Sequence, residues 1–173
     1  QVHRNADDGI EFYGGTVNFK YVITSGIADD NLDWTDGWRG KGQYFLAVQF
    51  ADAGDNGIEA DNSGEDNAAT PRSAPVLSNL TLIGAGGEHS DVGMLIREGT
   101  AAQIHNAIVA GWSDACLDID HDATFTNAVA TGDPSTLSGN LTLENSIFDC
   151  VNLYDIEGED LFSVQAFFET MNT

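Results

Sequence analysis

The sequence predicts an all-β fold, a right-handed parallel β-helix of about five coils forming one domain over residues 1–173. Three observations predict it. A short alternating motif recurs, the steps between its copies are nearly constant, and no helix-period segment lies between them.

The copies are Asp8-Gly-Ile-Glu-Phe-Tyr13, Asp30-Asn-Leu-Asp-Trp-Thr35, Asn56-Gly-Ile-Glu-Ala-Asp61, Val92-Gly-Met-Leu-Ile-Arg97 and Ala115-Cys-Leu-Asp-Ile-Asp120. Each reads turn residue, apolar, usually acidic, apolar, polar, which is the period-2 pattern of a strand with one buried face. Stacked, they place Ile10, Leu32, Ile58, Met94 and Leu117 in one inward column and Phe12, Trp34, Ala60, Ile96 and Ile119 in another. Glu11, Asp33, Glu59, Leu95 and Asp118 form the outward column between them.

The copies step by 22, 26, 36 and 23 residues. The long step holds residues 62–75, with two of the three prolines and almost no large apolar side chain, so it reads as a loop inserted in one coil. A second strand is expected after each motif, at Thr16–Thr24, Gln43–Phe50, Ser78–Ile83, Gln103–Ala110 and Asn140–Phe148. A doubly wound sheet would need crossover helices, and a sandwich would show hairpin turns instead of one motif at steady spacing. In the C-terminal stretch 160–173, Leu161, Phe162, Val164, Phe167 and Phe168 fall near helical spacing. That stretch is expected to cap the open end of the stack, or else to begin another irregular coil.

Charge narrows the function. Asp and Glu number 28 against 6 Lys and Arg, a net charge of −22. Such a surface repels phosphate backbones and anionic lipid, which argues against nucleic acid and membrane-surface partners. It suits a saline habitat, cation binding, or both. No apolar stretch reaches the ~20 residues of a membrane helix, and the start QVHRNADDG has no charged-then-apolar leader. That start reads like the middle of a repeat, so the chain is expected to be a piece of a longer one. The two cysteines, Cys116 and Cys150, are 34 residues apart, near one long turn, which would let adjacent coils join them in a disulfide; two buried thiols are the alternative.

The run Asn5-Ala-Asp-Asp-Gly-Ile-Glu-Phe-Tyr-Gly-Gly-Thr-Val-Asn18, followed by Ala28-Asp-Asp-Asn-Leu-Asp-Trp34, Gly37-Trp38 and Asp55-Asn-Gly-Ile-Glu-Ala-Asp-Asn62, resembles a known family. It is a group of secreted or lipid-anchored bacterial proteins, common in marine and environmental species, similar in fold to pectate lyases and without an assigned activity. The resemblance covers the first half and continues through Ala115-Cys-Leu-Asp-Ile-Asp120. It implies the β-helix, an extracellular or outer-surface location and further coils before residue 1.

The acidic column is the main candidate site. Glu11, Asp33 and Glu59 would stack at ~4.8 Å. Like charges that close repel by roughly 1 kcal/mol even in bulk water. Solvation, raised pKa values or a bound cation must relieve them. Carboxylates without thiolates or clustered imidazoles suit Ca²⁺, with Asp8 and Asp30, and beside them Asp7, Asp29 and Asp55, completing the shell. The plainer alternative is that these turn aspartates form Asx turns. Asp118-Ile-Asp-His-Asp122 opens like an EF-hand loop but has Ala123 and Val129 where that loop needs Gly and Glu, leaving only some other cation site.

Arg97, Asp61 and Asp120 would share one outward column, the ingredients of a lyase that pulls a proton with a basic residue; a salt-bridged spacer is the plainer account. Among the aromatics, Trp38 and Trp112 follow Gly37 and Gly111 at turns and are the candidate sugar-stacking residues, with turn packing as the alternative. His3, His89, His105 and His121 are scattered, and no nucleophile elbow is present. The sequence therefore favours a non-catalytic β-helix that binds glycan or mediates adhesion, stabilised by Ca²⁺. A polysaccharide lyase or glycoside hydrolase acting along a strand face is the alternative.

Overall fold

The computed structural model describes residues 1–129, 137, 139–158 and 163–172. The chain alternates between two sheets. β1 (Val2–His3) opens the first, β2 (Glu11–Tyr13) the second, β3 (Phe19–Ser25) returns to the first and β4 (Asp33–Thr35) to the second. The alternation continues through β5 (Lys41–Val48), β6 (Glu59–Ala60), β7 (Val76–Ile83), β8 (Val92–Ile96), β9 (Gln103–Ala110) and β10 (Ala115–Ile119). After helix α1 (Asp122–Ala128), the strands β11 (Thr142–Glu144) and β12 (Ile147–Asp149) both pair with β9. Helix α2 (Val164–Met171) packs against β11 and β10. Every pairing between these strands is parallel, so each coil lies on the previous one and the fold is a parallel β-helix.

The predicted columns set the register of the short-strand sheet. Phe12 pairs with Trp34, Trp34 with Ala60, Ala60 with Ile96, and Ile96 with Ile119. Their side chains join one continuous core that also takes Phe45, Leu80, Leu82 and Val109 from the other sheet.

The long strands turn in a way that alternation alone does not foretell. Tyr21, Tyr44, Asn79, Asn106 and Asn145 occupy the same position of successive coils, and all have φ between 53° and 59°. A residue in this left-handed region reverses the pleat locally and bends the strand. At Asn145 it divides the expected strand 140–148 into β11 and β12.

Three further corrections concern turns. Trp38 and Trp112, expected at the surface, are fully buried. Trp112 lies against Gly57, Gly84 and Gly93, where an added Cβ would come within 2.8, 3.0 and 3.1 Å of the ring, and its Nε1 donates to the Leu82 carbonyl. Trp38 stacks on Phe12 at 4.3 Å and donates to the Val17 carbonyl. Both indoles therefore fill the corners of the coils instead of facing a ligand. The short α1 was not expected; it docks through Thr124, which accepts the Gly99 N–H, and Asn127, which donates to the Gly99 and Thr100 carbonyls.

The inserted segment 62–75 contains no strand and folds back on the stack. Ser73 Oγ accepts the Gly37 N–H, and Asn62 donates to the Asn67 and Ala69 carbonyls. Of the stretch 160–173, residues 160–162 and 173 lie outside the described residues; within the rest, Ser163 caps α2 by accepting the Ala166 N–H. Cys116 and Cys150 form a disulfide with Cα atoms 5.5 Å apart, joining the start of β10 to the end of β12. Among the described residues no helix is long and apolar enough to cross a membrane.

Candidate cation site

The acidic column lies on the outer face of the short-strand sheet. Glu11 pairs with Asp33, Asp33 with Glu59, Glu59 with Leu95, and Leu95 with Asp118. The motif's alternation puts these side chains outward, while Phe12, Trp34 and Ala60 beside them anchor the strands in the core.

Just before each strand runs a second acidic file, and its first task is structural. Asp8 Oδ1 accepts the Asp30 N–H at 3.1 Å, Asp30 Oδ1 accepts the Asn56 N–H at 2.9 Å, and Asn56 Oδ1 accepts the Val92 N–H at 3.2 Å. Each side chain satisfies the backbone donor of the next coil at the same position. At Asp8 and Asp30 the Asx-turn alternative is thus replaced by an inter-coil ladder that single-turn reasoning missed. The signal was present in the residues that open the first three motifs, Asp8, Asp30 and Asn56, all of which carry a side-chain oxygen on a short stem.

The ladder carboxylates also converge with the outward column. Among the described residues, three groups bring one carboxylate oxygen apiece within 4.8 Å of the others: Asp7–Asp8–Asp29, Asp8–Glu11–Asp33 and Asp29–Asp30–Asp55. Every donor is a carboxylate, the chemistry of a hard-cation site. Asp33 Oδ1 is buried and accepts no hydrogen bond, an orphaned acceptor of the kind a cation would satisfy.

The electrostatics follow from burial. Asp33 is pushed up to about 9, first by burial and then by the charges of Asp8, Glu59, Asp30 and Glu11. Burial and Glu59 push Asp30 up to about 8, against the stabilising Asn56 N–H. Glu59 rises to about 7, since burial outweighs its attraction to Arg97. Asp8 rises to about 6 through burial, opposed by the Asp30 N–H. Without a cation these groups relieve their repulsion by holding protons.

Arg97 is held by ion pairs. Its Nη2 lies 2.5 Å from Glu59 Oε1 and its Nε 2.9 Å from Asp61 Oδ1. Burial opposes its charge, but Asp61 and Glu59 outweigh burial and keep it firmly protonated. Asp120, the third member of that column, is apart from this pairing and leaves Oδ1 buried without a hydrogen-bond partner. Asp120 instead lines a cavity of about 660 Å³ with His121, Asp122, Glu157, Asn67 and Phe125. His121 has φ 70° and its Nδ1 accepts the Glu98 N–H at 3.2 Å, while Asp122 leaves the strand to begin α1. The strand is therefore broken after Asp120, and no metal-spaced group among the described residues contains Asp118, Asp120 or Asp122.

The protein-family model described as "Pectate-lyase like beta helix domain" matches residues 1–172. No curated protein and no solved structure matches the chain.

Proposed function

Because the chain belongs to the pectate-lyase-like β-helix family, we propose that it is an exported, non-catalytic β-helix that binds glycan or mediates adhesion, with Ca²⁺ stiffening its acidic face. Asp33 carries the cation half of this proposal. A carboxylate with a buried, unpartnered oxygen, set against Asp8 and Glu11, is costly without a counter-charge. Asp8, Glu11, Asp33, Asp30 and Glu59 are the proposed ligands, with Asp29 and Asp55 at the neighbouring turn. A disulfide between Cys116 and Cys150 supports an oxidising, extracellular setting. Arg97, the candidate base, is fixed between Glu59 and Asp61 with its proton stabilised, which supports a structural role.

The test is a thermal melt in excess chelator, repeated with millimolar CaCl₂ and with NaCl at matched ionic strength. At a hundred times its dissociation constant Ca²⁺ stabilises by about 2.7 kcal/mol, a rise in Tm that NaCl does not reproduce. Equal shifts in the two salts would overturn the cation site. One observation favours a second reading, a polysaccharide lyase or glycoside hydrolase: the cavity where Asp120, Asp122 and Glu157 meet His121. Release of new reducing ends from a polysaccharide, lost in Asp120→Asn, would establish it.

A further inference from the structure

The opposite, long-strand face has a different chemistry. Beyond the bend at Tyr21 and Tyr44, Thr24, Ala47, Leu82, Val109 and Phe148 face the core. The residues on either side of them point outward in two files. One file reads Ile23, Leu46, Thr81, Ile108 and Ile147. The other reads Ser25, Val48, Ile83, Ala110 and Asp149. Seven of these ten residues are apolar. The outward positions of a strand with one solvated face are ordinarily polar, as Glu11, Asp33 and Glu59 are on the other sheet. Here Ile23, Ile108 and Ile147 remain 40%, 45% and 63% exposed. Tyr21 and Tyr44 beside them, stacked at 5.1 Å, are 72% and 44% exposed. Three shallow depressions of about 460, 350 and 430 Å³ cross this side, and no Asp or Glu lines any of them, in a chain that has 28.

We propose that this face is the contact between two copies of the chain, packed sheet against sheet and end for end in a twofold dimer. The inference goes beyond the reading above and needs neither Ca²⁺ nor a glycan.

The apolar files call for a cover. A contiguous exposed apolar patch marks an interaction surface, and two sheet faces pack by burying such files against each other.

Charge selects a second copy as the cover. Two chains of charge −22 repel wherever carboxylates face one another. In these files the sole carboxylate is Asp149, at the last coil. The charges that border the face are sorted along the axis. Lys20 and Lys41, the only lysines in the sequence, stand on β3 and β5 and, among the described residues, pair with no carboxylate. Lys20 Nζ leans toward the face, 4.9 Å from the Tyr21 ring centre and 5.4 Å from that of Tyr44. Glu144, 3.2 Å from His105, and Asp149 stand at the other end, on β11 and β12. A face that is positive at one end and negative at the other is complementary to itself turned end for end. The twofold axis then runs parallel to the strands near Thr81, on the middle strand of the path from β3 to β11. It lays Ile23 and Leu46 on the partner's Ile147 and the partner's Ile108, and brings the lysines toward the partner's Glu144 and the partner's Asp149. Stacked at ~4.8 Å, the files are roughly 20 Å long. That is small for a specific interface, so the dimer is reversible and depends on concentration.

The experiment is sedimentation equilibrium of the full chain in chelator at about 0.15 M NaCl, where long-range repulsion is screened. As loading rises through the micromolar range, the mass is expected to climb from 18.4 kDa toward twice that value. I108E sets a carboxylate within the apolar file and is expected to weaken the dimer at least tenfold. K20E/K41E is expected to weaken it severalfold. Melting curves check that each variant is folded; both lysines are exposed, so K20E/K41E decides where I108E does not fold. A carbodiimide, which joins an ammonium to a carboxylate it touches, is then applied to a mixture of isotope-labelled and unlabelled chains. Within one chain β5, β7 and β9 separate Lys20 from Glu144, so a bond from either lysine to Glu144 or Asp149 that joins labelled to unlabelled chain reports the end-for-end contact. A single mass at every loading, variants that associate as the native chain does, or lysine links to Glu11, Asp33 or Glu59 instead would overturn the proposal. Association that appears only when CaCl₂ replaces chelator would also overturn it, moving the contact to the acidic face. A failed Ca²⁺ melt leaves the dimer untouched, so the two proposals fail separately.

Discussion

The two sheet faces come from the same coils and the same spacing, yet one gathers carboxylates and the other has none in its depressions. On the short strands, Glu11, Asp33 and Glu59 stand in one file, and burial makes Asp33 and Glu59 hold protons at pH values where an isolated carboxylate is ionised. On the long strands, the equivalent outward files read Lys20, Gln43, Ser78 and Tyr21, Tyr44, Asn79, with aromatic stacking in place of repulsion. The difference teaches how a solenoid writes surface chemistry. A column repeats one choice at strand spacing, so a charge is multiplied into a field and a ring into a ledge.

The strongest way to break the comparison is to remove what both faces share. Trp34 is buried behind the acidic file, stands 5.7 Å from Trp38 and donates to Thr100 Oγ1. Trp34→Ala is expected to cost about 3–5 kcal/mol in urea unfolding and to weaken both faces together. A loss below about 1 kcal/mol would mean that they rest on separate cores.

Next, pH separates the faces. Asp33, Asp30, Glu59 and Asp8 titrate near 9, 8, 7 and 6 in the folded chain, against about 4 when unfolded. The folded state thus binds more protons through this window, so stability is greatest in mild acid and falls as pH rises toward 9. In chelator, Tm at pH 9 is expected to lie more than about 5 °C below Tm at pH 5. Asp33→Asn, or CaCl₂ on the native chain, should flatten that slope, and K20E/K41E should leave it. A slope unchanged by Asp33→Asn would remove this column as its cause.

A finer contrast distinguishes the ladder from the charge. Asp30→Ala strands the Asn56 N–H and is expected to cost about 1–3 kcal/mol. Asp30→Asn keeps the acceptor and sheds the charge, so in chelator it should be neutral or stabilising. If both variants lose the same stability by denaturant melt, the ladder bond contributes nothing. The smallest expected effect is at the bend: Asn106→Ala, forced to φ 58°, should cost about 1 kcal/mol, and Asn106→Gly close to nothing.

The fold and the acidic column were legible because both are written in period-2 alternation, which the eye reads directly from segments such as Asp8–Tyr13 and Asp30–Thr35. Three features were hidden for physical reasons. The bend at Tyr21 and Tyr44 is hidden because tyrosine gives no sign of a left-handed backbone; only Asn79, Asn106 and Asn145 do. The burial of Trp38 and Trp112 depends on which side of a glycine turn the ring falls, and Gly57, Gly84 and Gly93 form the slot for Trp112 from two successive coils. The scarcity of carboxylates on the outward files of β3, β5 and β7 is a property of several strands at once, invisible in any one of them.

The ladder from Asp8 through Asp30 and Asn56 to Val92 has a direction: each Oδ1 accepts a backbone N–H of the coil that follows it. During vectorial synthesis, a finished coil therefore presents an acceptor that waits for the next backbone N–H to emerge. Growth adds onto a prepared end, much as a new row is laid on the last course of a wall. The same directionality makes whole coils the natural unit of gain or loss in descent, since excising one complete turn restores the acceptor-to-donor sequence at the seam, whereas a partial excision leaves an acceptor facing the wrong atom.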